Sequence, residues 1–190
     1  MNEYEYEPIP GLPAHLPPDE QLLWQGSPDW RAVARHALHV RGVSCYFAAI
    51  IAWRIASGWY DGQSLQQIAV PTLWLLGLTL ATLGFLVWVA RLIASGTVYS
   101  ISTRRVVMRF GIALPISLNI PFRIVRGAGL KVYADGTGDI PLQLNGDGRV
   151  AYLHLWPHAR PWVLNRAEPM LRGIPHATEA ASILSRALAA

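Results

Sequence analysis

Between Ile68 and Ala90 the chain runs for twenty-three residues (IAVPTLWLLGLTLATLGFLVWVA) without one charged side chain. At about 1.5 Å of rise per residue, a helix of that length measures about 34 Å and crosses a hydrocarbon core of ~30 Å with a little tilt. The run therefore predicts a transmembrane helix. Pro71 falls in its first turn, where a missing N–H costs least, and Trp74 and Trp88 lie near its ends, where indoles favour the headgroup level. The competing reading, a buried helix of a soluble core, calls for a shorter run with a polar stripe.

A chain of 190 residues has room for a membrane hairpin and one soluble domain of about a hundred residues. Mean hydropathy of +0.26 fits such a mixture. Fifteen of the sixteen cations are Arg, Lys131 being the one lysine, and the net charge is +4. The arginines crowd around the hydrophobic runs, so an anionic membrane surface is the expected partner and nucleic acid is not. Cys45 is alone and sits in an apolar run, which excludes an intrachain disulfide or a zinc cluster. The N-terminus shows no cationic segment followed by an apolar one, so no cleaved signal peptide is expected.

Three parts follow. Residues 1–30 form an acidic, Pro-rich arm and a docking segment, Leu22-Leu-Trp24, closed by a Gly26-Ser-Pro-Asp turn. Residues 31–96 form a two-span hairpin: a first crossing from about His39 to Tyr60 must carry Arg54 with it, either snorkelling outward or awaiting an acidic partner. Arg31, Arg35 and Arg41 precede this crossing, Arg91, Arg104, Arg105 and Arg109 follow the second, and the loop Gly58–Gln67 has no Lys or Arg. Both termini are thus expected in the cytoplasm. Gly77, Ala81 and Gly84 offer a small-residue seam for self-association as a homo-oligomer.

From Thr97 the period changes to two. Strands are predicted at Thr97–Ser102 and Arg105–Phe110, then along the alternation Ile112, Leu114, Ile116, Leu118, Ile120. Further strands are expected within Phe122–Tyr133 and at Asp139–Leu144, Arg149–Leu155 and Pro169–Ile174, with hairpin turns at Asp135–Gly138 and Asn145–Gly148. The helix Thr178–Leu188 gathers Ala180, Ile183, Leu184, Ala187 and Leu188 on one face. About seven strands and a closing helix outline a pleckstrin-homology-like barrel over residues 97–190.

Two motifs carry a family resemblance: Asp19-Glu-Gln-Leu-Leu-Trp-Gln-Gly and the strand pair Tyr99-Ser-Ile-Ser-Thr-Arg-Arg-Val-Val-Met-Arg-Phe-Gly111. Both resemble bacterial pleckstrin-homology proteins. The whole order, including Leu155-Trp-Pro-His-Ala-Arg-Pro-Trp162, is similar to the photosynthetic complex assembly proteins of purple bacteria, the PuhB type. That resemblance implies a membrane-bound assembly factor of the inner (intracytoplasmic) membrane. It also implies reaction-centre or light-harvesting 1 polypeptides as partners, and no reaction.

No nucleophile elbow, Walker, dinucleotide-binding or HExxH motif is present, so no catalytic residue, metal or cofactor is expected. His154 and His158 have the spacing of a helical metal pair, but Pro157 lies between them and no further ligand is near. Asp135, Asp139 and Asp147 sit in turns without the cadence of a calcium loop. His36 and His39 are candidate axial ligands for a pigment, the alternative reading being a pigment- or lipid-binding membrane protein. Trp24, Trp30, Trp156 and Trp162 are the partner-docking candidates. Arg104, Arg105, Arg109, Arg123 and Arg126 are candidates for the anionic membrane surface.

Overall fold

The computed structural model describes residues 11–12, 15–112, 114–145, 152–163 and 167–189, without the side chains of 153 and 154. In chain order, strand β1 (Leu22–Gly26) leads to a short helical turn α1 (Trp30–Ala32), which continues as a π-helical turn over Val33–Ala37. Two long helices follow, α2 (Val40–Tyr60) and α3 (Leu65–Ser95). Then come β2 (Val98–Ser102), β3 (Arg105–Phe110), β4 (Ile116–Pro121), β5 (Val125–Ala128), β6 (Lys131–Val132) and β7 (Gly138–Leu144). The chain closes with α4 (Tyr152–Leu155), β8 (Met170–Ile174) and α5 (Ala177–Ala189).

All strand pairs are antiparallel. The first sheet has the order β1-β2-β3-β4, with Gln25 opposite Ser100, Tyr99 opposite Met108 and Val106 opposite Ile120. In the second, β7 pairs with β5, β6 and β8, with Leu142 opposite Ala128, Asp139 opposite Lys131 and Ile140 opposite Leu171. The core between them is built on Tyr99, Ile101, Met108, Ile140 and Leu171, and α5 covers it with Ala177, Ala180 and Leu184. The C-terminal helix thus plays the part its apolar stripe predicted.

The expected closed barrel of about seven strands is corrected in two ways. Seven described strands, β2 to β8, fall within residues 97–190 as expected, but β1 adds an eighth to the sheet beside β2, so that the helical pair is an insertion between neighbouring strands. Among the described residues no strand pair joins the two sheets, so the barrel is open. After β4, Pro121 and a 3-10 turn at Phe122–Ile124 redirect the chain before β5 begins, and the Phe122 N–H goes to the Arg104 carbonyl at 3.0 Å. Three strand predictions also change. The span Phe122–Tyr133 divides into that turn, β5 and β6. Tyr152–Leu155 is a helical turn, with the Trp156 N–H donating to Tyr152 C=O at 3.0 Å; residues 146–151, including the predicted turn and Asp147, lie outside the described ones. The alternation from Ile112 does not reach a strand until Ile116: Gly111 bends the chain at φ 137°, and Ile112 and Leu114 are exposed. Any Cβ at Gly96 would collide with the Gly111 carbonyl, so this apolar loop abuts the end of α3.

Among the described residues one helix, α3, is long and apolar enough to cross a membrane. Helix α2 packs along it but carries Arg41 and Arg54. The start of α3 is set by a capping box: the Ser64 N–H donates to Gln67 Oε1 at 2.8 Å, and Ser64 Oγ accepts from the Gln67 N–H at 3.4 Å. The helix therefore starts three residues before Ile68, and Pro71 falls in its second turn. A proline there leaves the Gln67 carbonyl without its i+4 donor. Arg54 supplies one, donating from Nη2 at 3.1 Å, and both its terminal nitrogens also reach Gln63 Oε1 at 3.2 Å. The intramembrane cation predicted at Arg54 thus finds a carbonyl and an amide, and Gly58 gives it room, since a Cβ there would stand 2.8 Å from Arg54 Nη1.

Candidate functional site

The segment leading into α2 is clamped onto the second sheet. The Asp29 N–H donates to the Gly173 carbonyl at 2.8 Å, and Arg35 bonds Asp135 at 2.7 Å. The His36 ring stacks on Tyr133 with centroids 3.6 Å apart and planes 6° from parallel. On its other side, Val33 and Ala34 pack against Ala90 and Ile93 near the end of α3. Between this linker and the sheet lies a cavity of about 830 Å³.

Its wall mixes cations and aromatic rings: His36 and His39 from the linker, Lys131 in β6 and Tyr133 just after it, Arg172 from β8, and Trp156 and Trp162 after α4. Burial holds the His36 imidazole below its ordinary pKa, with Asp135 pulling the other way. Burial, a hydrogen bond to Asp139 and the Asp139 charge all push the Tyr133 hydroxyl up, so it stays a donor, at 2.6 Å from Asp139 Oδ2. Asp139 Oδ1 accepts from the Gly173 N–H at 2.8 Å, so both carboxylate oxygens are committed. Arg160 is paired with Glu168 at 2.8 Å.

A chain of buried hydrogen bonds joins this wall to α3. The Arg172 N–H donates to the Tyr99 hydroxyl at 3.2 Å, and that hydroxyl lies 2.6 Å from His158 Nδ1. His158 Nε2 is 3.3 Å from Thr97 Oγ1, and the Thr97 hydroxyl donates to the Ile93 carbonyl at 2.7 Å. With the Thr97 proton spent on Ile93, the assignment that satisfies every group has His158 protonated on Nε2 and accepting from Tyr99 on Nδ1. Burial, reinforced by the Arg172 charge, depresses the His158 pKa to about 3. The ring is neutral, and it ties an orphan carbonyl of the last turn of α3 to the domain core.

Of the predicted site residues, His36, His39, Trp156 and Trp162 meet at the cavity. Trp162 is 94% and Trp156 50% exposed, and Trp162 has φ 66°. The other two indoles are packed: Trp24 lies against the core and Gly26, and Trp30 sits under the Arg91 guanidinium at 4.2 Å. Arg104 pairs with Asp19. Arg105 holds Glu20 through Nε at 2.7 Å and Nη2 at 2.6 Å, an interaction that lowers the carboxyl pKa. Arg109 is half-buried on β3, whereas Arg123 and Arg126 are exposed. The His154 side chain lies outside the described residues, and among those described no group of three metal-capable side chains occurs. Gly77 and Gly84 have open space where a Cβ would stand, so they do not serve the packing of α2 on α3.

Sequence reasoning missed Arg172 and Glu20, and it set Asp139 in a turn, whereas Asp139 stands in β7 with both oxygens bonded. The signal for Arg172 was present: one charge inside Met170-Leu-Arg-Gly-Ile174, a strand with every residue buried. Nothing local marks Glu20, whose partner Arg105 is brought to it by the β1–β2 pairing.

Open antiparallel sheets packed into one core and capped by a C-terminal helix define a pleckstrin-homology-like domain. The chain belongs to the bacterial PH domain family, whose model matches residues 43–188. It is also similar to the "Uncharacterized 23.7 kDa protein in puhA 5'region" of Rhodobacter capsulatus. The two are 38% identical over 189 residues, which cover 98% of this chain and 87% of the relative. No solved structure matches.

Proposed function

We propose that this protein is a non-enzymatic assembly factor for the photosynthetic reaction centre and its light-harvesting 1 antenna, held in the bacterial inner membrane by α2 and α3 with both termini cytoplasmic. The observation that carries the reading is the insertion of the helical pair between β1 and β2. The domain is built around its anchor, and the buried relay from Ile93 to Arg172 fixes its orientation on α3. Binding without turnover needs apolar anchors at a fixed height above the bilayer. Trp156 and Trp162 supply them beside the end of the span. The position of the relative, 5′ of puhA, supports a photosynthetic setting.

A second crossing by α2 is part of this proposal. Its Arg54 is bonded at the loop end of the helical pair, where it reaches the opposite headgroup layer. The apolar Ile112 and Leu114, abutting the end of α3, sit in the near interface. Purification of the full chain in mild detergent tests the function. A colourless protein accompanied by reaction-centre or antenna polypeptides is expected. A pigmented protein that comes out alone refutes the assembly role and returns His36 and His39 to the role of pigment ligands.

A further inference from the structure

The cavity holds a group that partner docking does not use. Arg172 is 7% exposed, and its Nη1 and Nη2 donate to the carbonyls of Pro157 at 2.8 Å and His36 at 3.2 Å. Its Nε is buried without a partner, and among the described residues no carboxylate forms an ion pair with it. A buried guanidinium hydrogen-bonded only to carbonyls is costly unless a countercharge stands close by. Asp139, in the same wall, has both oxygens engaged by Tyr133 and Gly173. The other charged groups facing the cavity are Lys131, exposed and 5.1 Å over the Tyr133 ring, and the Glu168-paired Arg160.

Position selects the source of the anion. His39 immediately precedes α2, and Val40 packs against the cluster that holds Ala90, the end of the apolar run in α3. The rim of the cavity is therefore level with the headgroup layer on the reading that α3 crosses the bilayer, on which this inference rests. Exposed indoles at Trp156 and Trp162 flank the opening, as amphipathic rings do at a lipid interface. About 830 Å³ is more than a bare phosphate fills and accommodates a glycerophosphate headgroup with the first part of its chains.

We propose that this cavity binds one anionic phospholipid, its phosphate on Arg172 and Lys131 and its acyl chains leaving past Trp156 and Trp162 into the bilayer. The lipid supplies a countercharge to the Arg172 and Lys131 side of the cavity and completes the docking face at the membrane surface.

Native mass spectrometry on the full chain, released from nanodiscs of phosphatidylcholine and phosphatidylglycerol in equal parts, tests this. One phosphatidylglycerol retained per chain is expected, preferred over phosphatidylcholine by about tenfold or more, as charge-assisted hydrogen bonds warrant. Arg172→Gln and the surface variant Lys131→Gln should each lower that preference several-fold, and Trp162→Ala, which leaves the core untouched, should shorten retention. Equal retention of the two lipids overturns the proposal, as does undiminished preference in Lys131→Gln and Trp162→Ala. Displacement by inorganic phosphate assigns the site to a soluble anion, and occupancy by a polypeptide assigns it to a partner; either result also overturns it. Loss of lipid selectivity with antenna polypeptides still co-purifying sinks this inference alone, whereas release of the protein from membranes by carbonate sinks the assembly reading with it.

Discussion

His158 offers the sharpest test of how the domain is fixed to its helix. Its imidazole is buried and neutral, with a pKa of about 3 against an ordinary value of 6.5. A histidine whose folded pKa is depressed binds its proton in the unfolded chain first, so stability falls with pH once the pH drops below about 6.5 and goes on falling toward 3. At ~1.4 kcal/mol per pH unit, lowering the pH from 6.5 to 5 removes about 2 kcal/mol, and the full window about 5 kcal/mol. For a chain of this size 2 kcal/mol corresponds to roughly 5 °C in Tm. His158→Gln keeps an acceptor for Tyr99 and a donor for Thr97 but has no proton to take up. Thermal unfolding of both proteins in mild detergent, followed by tryptophan fluorescence, should show the wild type losing roughly those degrees more than His158→Gln between pH 6.5 and 5, the slope left in the variant coming from His36, which burial also holds below its ordinary pKa. Glu20 does not confuse the comparison, because a carboxyl with a lowered pKa loses its contribution only as the pH falls below about 4.5. Parallel curves for the two proteins would refute the buried relay.

Other perturbations follow from the same contacts. Glu20→Gln strips Arg105 and Ser102 of a charged acceptor and should lower stability by about 2 kcal/mol above pH 5, seen as a drop in Tm and faster proteolysis ahead of β1. Arg54→Met leaves the Gln67 carbonyl orphaned, while Pro71→Ala restores its helical donor; a double-mutant cycle should give a coupling of about 1 kcal/mol, and strict additivity would contradict the contact. Gly58→Leu forces Arg54 and Ile68 apart, at about 1–3 kcal/mol by thermal unfolding. A spin label at Leu114→Cys, in a Cys45→Ser background, should be reached by oxygen better than by a water-soluble relaxant; the reverse would lift the β3–β4 loop off the bilayer.

Much of the domain was legible because its strands alternate. β2, β3, β7 and β8 and the stripe of α5 emerge near their predicted bounds, β8 as a short run buried along its whole length rather than through an alternating face. β1 was legible only as an apolar run in need of a surface: five residues cannot reveal that their ladder partner lies beyond a helical pair. Ile112 and Leu114 carried the same alternation as a strand, yet a glycine at positive φ and an adjoining helix end made them an exposed loop. Period reports which residues avoid water and is silent on whether sheet or lipid covers them. The docking face was half legible. The exposed indoles and the linker histidines could be singled out by type, but their meeting at one cavity depends on Arg35, His36 and Arg172 closing contacts across the chain. His158, whose spacing from His154 suggested a metal pair, is instead the core of a neutral relay, because its partners come from β2 and from the turn after α3.

Photocrosslinking from position 162 of the full chain in native photosynthetic membranes asks whether the exposed indole meets a polypeptide. With Trp162 replaced by a photoreactive phenylalanine analogue, a discrete adduct with a reaction-centre or antenna polypeptide is expected, absent when the probe stands at the packed position Trp24. Labelling of lipid alone at 162, with no polypeptide captured, would contradict the assembly reading.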